Sequence, residues 1–328
     1  MKPFVQVCAI AAIGMLLAPA FQSAAPAQIR GRAQTRRAQT QPALKTASQP
    51  AKPNAVEKLD RQADLLRPLH KKLDAPKPGE WLAEHPEKGQ TFVEYQKVRP
   101  AGLGVANRTI YLAALGPNSE EQDQVMRDVG EFLAIFYGMK VEWIERLPES
   151  VVPATARRDH PRSGALQFDS IYIVQKLLPP RVPRGAAALV VLTATDLWPG
   201  NDWNFVFGQG SLGSPTGVVS LARLAGDVEG DNLLLLRAIK IATHETGHLF
   251  GIPHCTAYEC CMNGCNSLAE TDRHPLPFCP ECEAKIWLVS GADPVKRYSD
   301  LATFARRHGF EEAEKQWTKS AEVLTPVK

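Results

Sequence analysis

The part of the chain that should fold has no excess of positive charge. The formal net charge of the whole chain is +3, but residues 28–78 alone carry twelve Lys or Arg and only four Asp or Glu. Residues 79–328 therefore have a net charge of −6. Since the basic excess is confined to the front of the chain, the folded body lacks the surface that nucleic-acid-binding proteins use, and we expect no nucleic acid among its partners.

Cysteine and histidine are also scarce, and they are unevenly placed. The chain has eight His and seven Cys. Cys8 lies near the N-terminus, and the other six cysteines all fall between residues 255 and 282. Three of the eight histidines lie just before them, in the stretch HETGHLFGIPHC at 244–255. Any chemistry that uses thiols or imidazoles is therefore expected in this one region.

The N-terminus has the pattern of a secretory signal peptide. One lysine precedes an apolar run from Phe4 to about Ala18, and the small residues that follow include an A-x-A-like cleavage site at Ala25–Ala27. We expect residues 1–27 to be a signal peptide and the protein to be secreted or periplasmic. The alternative is an uncleaved leader that anchors the protein in a membrane.

Residues 28–78 have the composition of a linker. They are basic, rich in Ala, Gln and Pro, and poor in large apolar residues, which predicts disorder. Apolar residues at near-helical spacing between Asn54 and Leu73 predict one short amphipathic helix, which Pro68 would break or kink. The linker is either a solvated tether or a weak contact to an anionic surface.

Residues 79–328 read as one α/β (α+β) domain. Apolar patterns predict strands over 108–115, 140–147, 187–198, 202–211 and 217–224, helices over 119–138 and 231–251, and a helix or mixed segment over 165–178. Strands that alternate with helices in this order predict a mixed sheet backed by helices.

The last predicted helix carries the sequence HExxH. His244 and His248 are four residues apart and therefore face the same way, which is the geometry that two imidazoles need to hold one Zn²⁺. Gly251 suits a left-handed residue at the helix end, and Pro253 then holds the chain extended. His254 can return as a third ligand, which leaves a fourth position open, as in catalytic zinc sites.

The six clustered cysteines allow two interpretations. Cys255 and Cys260 form one pair, and Cys279 and Cys282 form a C-x-x-C pair; together they can enclose one tetrahedral Zn²⁺. Because the protein is expected to be exported, disulfides are the alternative. Cys261 and Cys265 are left over in the zinc interpretation.

The combined pattern resembles the archaemetzincin (archaelysin) family of zinc metallopeptidases, in the metzincin clan. The features that carry the resemblance are HExxHxxGxxHC at 244–255, Cys260-x-Met262 and Cys279-x-x-Cys282. The stretches 80–96, 203–208 and 217–224 are also similar to that family. The resemblance covers about residues 80–323 and leaves the leader and the linker outside.

The resemblance implies a compact metzincin-like zincin domain with a mixed, twisted β-sheet backed by helices. It further implies two zinc ions per chain. One is catalytic and is bound by His244, His248 and His254, with Glu245 as the general base. Met262 forms the Met-turn beneath it. The other zinc is structural and is bound by Cys255, Cys260, Cys279 and Cys282.

The implied activity is hydrolysis of peptide bonds in a peptide or protein substrate. The strand at Asn204, Phe205, Val206, Phe207 and Gly208 is a candidate edge for pairing with an extended peptide, or else ordinary sheet core. Two other functions remain open: a catalytically silent zinc-binding scaffold that docks at the envelope, and a redox protein that uses Cys279 and Cys282. The sequence leaves the oligomeric state open.

Overall fold

The computed structural model describes residues 53–98, 109–200, 203–225 and 232–326. The expected signal peptide and the linker up to residue 52 lie outside these described residues. The described helices are α1 (Pro53–Leu66), α2 (Trp81–Glu84), α3 (Phe92–Lys97), α4 (Glu120–Tyr137), α5 (Ser170–Tyr172), α6 (Leu233–Leu249), α7 (Leu268–Arg273), α8 (Pro280–Ser290), α9 (Pro294–Arg307) and α10 (Glu311–Leu324).

The described strands form two sheets. They are β1 (Thr109–Leu115), β2 (Lys140–Trp143), β3 (Arg157–Asp159), β4 (Leu166–Asp169), β5 (Ala188–Thr193), β6 (Asp196–Trp198), β7 (Gly208–Gly210) and β8 (Thr216–Ser220). The larger sheet has the order β2-β1-β5-β8-β7 and the smaller one β3-β4-β6. In the larger sheet β2, β1, β5 and β8 are parallel, and β7 is antiparallel to β8 at the edge. Mixed sheets packed against helices confirm the expected α/β class.

The larger sheet is buried on both faces, which explains the unbroken apolar runs in its central strands. In β5, Val190 and Leu192 point into the core shared with the helices, whereas Leu189 and Val191 point into a second core on the opposite face. All four side chains are fully buried. The helix-side core contains α4 and α6, so the sheet is the rigid base against which α6 is held.

Helix α4 forms where the sequence predicted it. The Ser119 hydroxyl accepts a hydrogen bond from the Gln122 backbone N–H, and the Gln122 side chain accepts one from the Ser119 N–H, which completes a capping box. Gly138 ends the helix with φ +57°, a left-handed conformation that favours glycine. These local signals fixed the ends of the helix independently of its packing.

Two predicted strands are interrupted in the structure. The apolar run 187–198 was predicted as one strand, but it divides into β5 and β6, which belong to different sheets. The break follows Thr193, whose hydroxyl donates to the Leu115 carbonyl on β1 and accepts the Thr195 N–H, so this side chain bonds backbone groups at the point where β5 ends. In the run 202–211, β7 is the strand that joins the larger sheet, and Val206 makes an isolated bridge to Leu197 on β6 of the smaller sheet.

Residues 53–78, which the sequence assigned to the linker, lie in the folded body in the structure. The predicted amphipathic helix is present as α1, and it packs against α8 with Ala63 and Leu66 almost fully buried. Arg67 then forms an ion pair with Glu281 at 2.7 Å. Although the segment is basic overall, α1 has an apolar face that packs against α8. None of the described helices has both the length and the apolar character needed to cross a membrane.

Candidate active site

The structure brings together the three predicted histidine ligands. His244 and His248 lie one turn apart on α6, and both are buried. Gly251 has φ +79° and reverses the chain at the end of the helix. The loop that follows returns His254, and one ring nitrogen from each histidine lies within 4.8 Å of those of the other two. The helix end predicted from Gly251 is therefore what allows the third ring to reach the first two.

The orientation of the two helical histidines is set by backbone carbonyls. His244 Nδ1 lies 2.8 Å from the Cys261 carbonyl oxygen, and His248 Nδ1 lies 2.8 Å from that of Ile252. Burial, together with the neighbouring imidazoles, holds the pKa of His244 well below its usual value and lowers the pKa of His248 to about 3. Both rings are therefore neutral, and Nδ1 carries the proton that is donated to the carbonyl.

His254 is held differently, by a carboxylate. Its Nδ1 lies 2.7 Å from Glu87 Oε1, and the Trp81 indole Nε1 donates to the same oxygen at 2.6 Å. The Trp81 ring meets the His254 ring edge-on, with 5.1 Å between centroids. Glu87 and Trp81 were not predicted as site residues, although both lie in the stretch 80–96 that is similar to the archaemetzincin family.

The donor atoms that remain fit a zinc ion. Nε2 of His244, His248 and His254 is buried in all three rings, and none of these atoms has a hydrogen-bond partner. An unpaired buried polar atom is costly, and three of them facing one point need a common partner. Neutral imidazoles whose other nitrogen donates to an oxygen are the usual donors to zinc.

Glu245 lies on α6, and its side chain packs against the edge strand β7. It is fully buried, and its carboxylate oxygens make no hydrogen bond of good geometry. Burial raises the pKa of the Glu245 carboxyl well above its usual value, and the nearby Gly210 N–H offsets only part of this. A Cβ atom on Gly208 would lie 2.6 Å from Glu245 Cγ, and one on Gly210 would lie 2.7 Å from the Glu245 carbonyl oxygen. Glycine is therefore required at both positions for this close approach.

Met262, the predicted Met-turn residue, packs against α6. Its side chain is fully buried, and a Cβ atom added to Gly247 would lie 2.6 Å from Met262 Sδ. Gly247 lies between the two helical histidines on α6. Met262 therefore packs against α6 at a position where Gly247 has no side chain.

The structure also brings together the four predicted cysteines, with their sulfurs within 4.8 Å of one another. All four are buried, and all are free thiols. The sulfurs of Cys255 and Cys279 are 3.6 Å apart, far longer than the S–S bond of a disulfide, which is about 2.0 Å, and close to the spacing of two thiolates on one zinc ion. The cluster fits a tetrahedral zinc site better than it fits the alternative of disulfides.

Backbone donors complete the cysteine cluster. The N–H groups of Cys279 and Met262 point at Cys260 Sγ, at 3.2 and 3.4 Å. Burial raises the pKa of the Cys260 and Cys279 thiols well above the usual value, whereas hydrogen bonds from the neighbouring thiols lower the pKa of Cys255. Four buried sulfurs this close together are a donor set that fits one zinc ion.

One turn joins the two clusters. The Cys255 N–H donates to the Met262 carbonyl at 2.7 Å, and the Asn263 side chain donates to the Cys255 carbonyl at 2.7 Å. Cys261, whose carbonyl faces His244, lies between Cys260 and Met262. The backbone that shapes the cysteine cluster therefore also orients a histidine. Cys261 and Cys265 are buried and free outside this four-cysteine group.

The predicted peptide-binding stretch 204–208 is mostly core. Phe205, Val206 and Phe207 are at most 4% exposed and pack inward. The Asn204 carbonyl accepts hydrogen bonds from Arg158 at 3.0 Å and from the Gln167 side chain at 2.9 Å. Of this stretch, Gly208 alone belongs to the strand β7 beside Glu245.

A row of rings extends from the third histidine towards the edge strand. The His85 ring lies 4.2 Å from the Trp81 ring and 6.2 Å from the Trp203 ring, centroid to centroid. Trp203 directly precedes the stretch 204–208. The segment 81–87 therefore contacts both His254, through Glu87, and Trp203, through His85.

Comparisons with known proteins agree with this site. Residues 185–287 match the family described as "Peptidase family M54". This range contains all seven candidate ligands. Human archaemetzincin-2 is 32% identical over 258 residues, which cover 68% of this chain and 71% of the human protein. The archaemetzincin of Thermococcus kodakarensis is 34% identical over 173 residues, covering 49% of this chain and 88% of that protein.

A solved structure is similar as well. The crystal structure of archaemetzincin from Methanopyrus kandleri is 27% identical, covers 57% of this chain and 97% of its own, and superposes with a TM-score of 0.45. The two relatives, each more than 30% identical and covered over more than two thirds of their own length, show the family. The chain belongs to the archaemetzincin family, peptidase family M54, and is a zinc metallopeptidase.

Proposed function

We propose that this chain hydrolyses peptide bonds at a zinc ion held by His244, His248 and His254, with Glu245 as the general base. The observation that carries the proposal is the set of three buried Nε2 atoms that lie together without hydrogen-bond partners, with the buried Glu245 next in sequence to His244. Zinc supplies Lewis acidity there, which lowers the pKa of water and polarises a carbonyl group.

Glu245 moves the proton in this proposal. It is next in sequence to His244, so its carboxylate points to the side of the ligand set and not into it. From there it accepts a proton from the attacking water and delivers it to the amine that leaves. Gly208 and Gly210 hold the carboxylate against β7, which keeps it in place between these two transfers.

The substrate binds along β7 in this proposal. Phe207 accepts a backbone hydrogen bond from Ser220 on β8, at 2.8 Å. Since residues of an antiparallel ladder alternate between facing the partner and facing away, Gly208 and Gly210 direct their peptide groups away from β8. An extended peptide pairing with this edge would lie directly beside Glu245. The proposed substrate-pairing edge is therefore Gly208–Gly210. Of the predicted stretch 204–208, it keeps only Gly208.

The four cysteines hold a second, structural zinc in this proposal. The turn that they close also orients His244 through the Cys261 carbonyl, so this zinc would stabilise the catalytic one indirectly. A redox role for Cys279 and Cys282 fits less well, because both belong to one buried four-sulfur group and not to an accessible pair.

We further propose that the protein is exported through residues 1–27 and that the basic residues 28–52 contact anionic surfaces at most weakly. This rests on the sequence alone. Thiolates must then take up zinc before an oxidising compartment pairs them. The mass of the mature N-terminus tests export: a protein that keeps Met1 would contradict cleavage and favour the anchored alternative.

The variant Glu245→Gln tests the peptidase proposal. It keeps the size of the side chain beside β7 but removes the base, so both zinc ions should remain while turnover falls by at least about 100-fold. Zinc content per chain and hydrolysis of a peptide library measure these effects. Undiminished turnover in Glu245→Gln would contradict the base assignment, and a wild-type chain with zinc but no hydrolysis would favour the silent scaffold.

A further inference from the structure

The three histidines differ in what holds their second nitrogen. His244 and His248 donate to backbone carbonyls of the turn and loop that follow α6. His254 instead meets the carboxylate of Glu87, which lies 167 residues upstream. His254 is also the ligand outside the helix, so no helical backbone fixes the direction of its ring. Its orientation must come from the contacts of the ring itself.

The Glu87 carboxylate is held in place from several sides. The Trp81 Nε1 donates to the same oxygen that faces His254, and the Trp81 backbone N–H donates to Glu270 Oε1 at 3.0 Å. A Cβ atom on Gly264 would lie only 2.3 Å from the Trp81 ring, so the indole is closely packed. The donor to Glu87 therefore belongs to a ring with little freedom to move.

The segment 79–90, here called the N-terminal strap, is tied to the body beyond Glu87 as well. The Lys285 ammonium on α8 donates to the Gln90 carbonyl at 2.6 Å. Thr256, two residues after His254, donates its hydroxyl hydrogen to the Lys88 carbonyl at 3.4 Å. Both ties lie within three residues of Glu87, whose hydrogen bond to His254 joins side chains that are 27% and 0% exposed. The strap is thus fastened at the loop that carries the third ligand.

We propose that Glu87 is a positioning residue that fixes His254 as a zinc ligand, and that Trp81 fixes Glu87 in turn. A carboxylate that accepts from Nδ1 sets the tautomer, aims Nε2 at the metal and makes it a stronger donor. The N-terminal strap is then part of the catalytic centre and not a peripheral extension. This inference rests on the proposed zinc site at the histidines.

Three variants and one matched control test the inference. Glu87→Ala removes the acceptor, Glu87→Gln keeps an acceptor oxygen but removes the charge, and Trp81→Phe keeps an aromatic ring but removes the donor to Glu87. Glu84→Ala is the control, because it removes a carboxylate from the same strap that has only a 3.5 Å contact to Asn266. Zinc affinity is measured by chelator competition on the full chain, with zinc at the four cysteines as an internal reference.

The expected result is a loss that is confined to the histidine site. Glu87→Ala should weaken zinc binding there by about 10–100-fold, and Glu87→Gln and Trp81→Phe should weaken it less. Glu84→Ala should bind zinc as the wild type does. With zinc saturating, Glu87→Ala should lower kcat more than it changes KM, because a misdirected ligand affects the reacting centre rather than substrate pairing.

Other outcomes overturn the inference in distinguishable ways. Equal zinc affinity in Glu87→Ala and Glu84→Ala would contradict it while leaving the proposed peptidase intact. Equal loss of zinc from both sites would assign Glu87 a general role in stability instead. A wild-type chain that binds zinc only at the cysteines would contradict the proposed function and this inference together.

Discussion

The closest contact around the proposed base gives a quantitative prediction for Gly208→Ala. The added Cβ would lie 2.6 Å from Glu245 Cγ and 2.9 Å from both Cδ and Oε1. Non-bonded carbon atoms prefer a separation of about 3.5–4.0 Å, so the carboxylate must retreat by roughly 1 Å. A displacement of that size at a reacting centre costs about 100-fold in rate. The overpacking itself should destabilise the fold by about 1–3 kcal/mol.

Gly217→Ala is the matched control for this substitution. Gly217 lies on the neighbouring strand β8, but an added Cβ would come no closer than 3.4 Å to Leu249, an ordinary contact. Gly210→Ala gives a useful contrast, since its Cβ would lie 2.7 Å from the backbone oxygen of Glu245, which cannot rotate away. We expect Gly210→Ala to lower the thermal midpoint more than Gly208→Ala does.

The assay is steady-state hydrolysis of one peptide substrate, with zinc content and thermal midpoint recorded for each variant. Gly208→Ala should keep its zinc and lose kcat, whereas Gly217→Ala should retain most of its activity. If kcat of Gly208→Ala stays within a factor of about two of the control, the tight packing of β7 on Glu245 does not position the base, and the reasoning fails.

Two further substitutions test the framework around the site. Cys279→Ser should reduce zinc to about one ion per chain and lower the thermal midpoint, because metal binding contributes to folding; a full zinc complement in metal analysis would contradict the structural site. Arg297→Met should destabilise the protein by about 3–5 kcal/mol in denaturant unfolding, since it leaves the Glu283 carboxylate buried without its 2.6 Å partner. Adding Glu283→Leu should recover much of that loss, and no recovery would show that the pair does not act as a unit.

The parts of the site that could be predicted from the sequence are those built by local geometry. The spacing of His244 and His248 predicts one helical face, and Gly251 predicts the turn that returns His254. The four cysteines of the predicted group also lie within one short stretch, and their sulfurs come together in the structure. Each of these inferences needs only the backbone between neighbouring residues.

Contacts between distant parts of the chain could not be predicted in this way. Glu87 meets His254 across 167 residues, and nothing in the local pattern of either segment indicates the pairing. The charge of the segment 53–78 predicted a linker, but the segment folds because α8 provides a surface on which Ala63 and Leu66 pack. The division of 187–198 into two strands likewise depends on a partner, the Leu115 carbonyl on β1.

The central claim is tested most directly by removing and restoring the metal of the wild-type chain. The account predicts two zinc ions per chain by elemental analysis, of which a chelator removes the one at the histidines first. Peptide hydrolysis should disappear with that ion and return when a single equivalent of zinc is added. Hydrolysis that persists after the histidine zinc is gone would contradict the account, as would a chain that binds zinc there but cleaves no peptide.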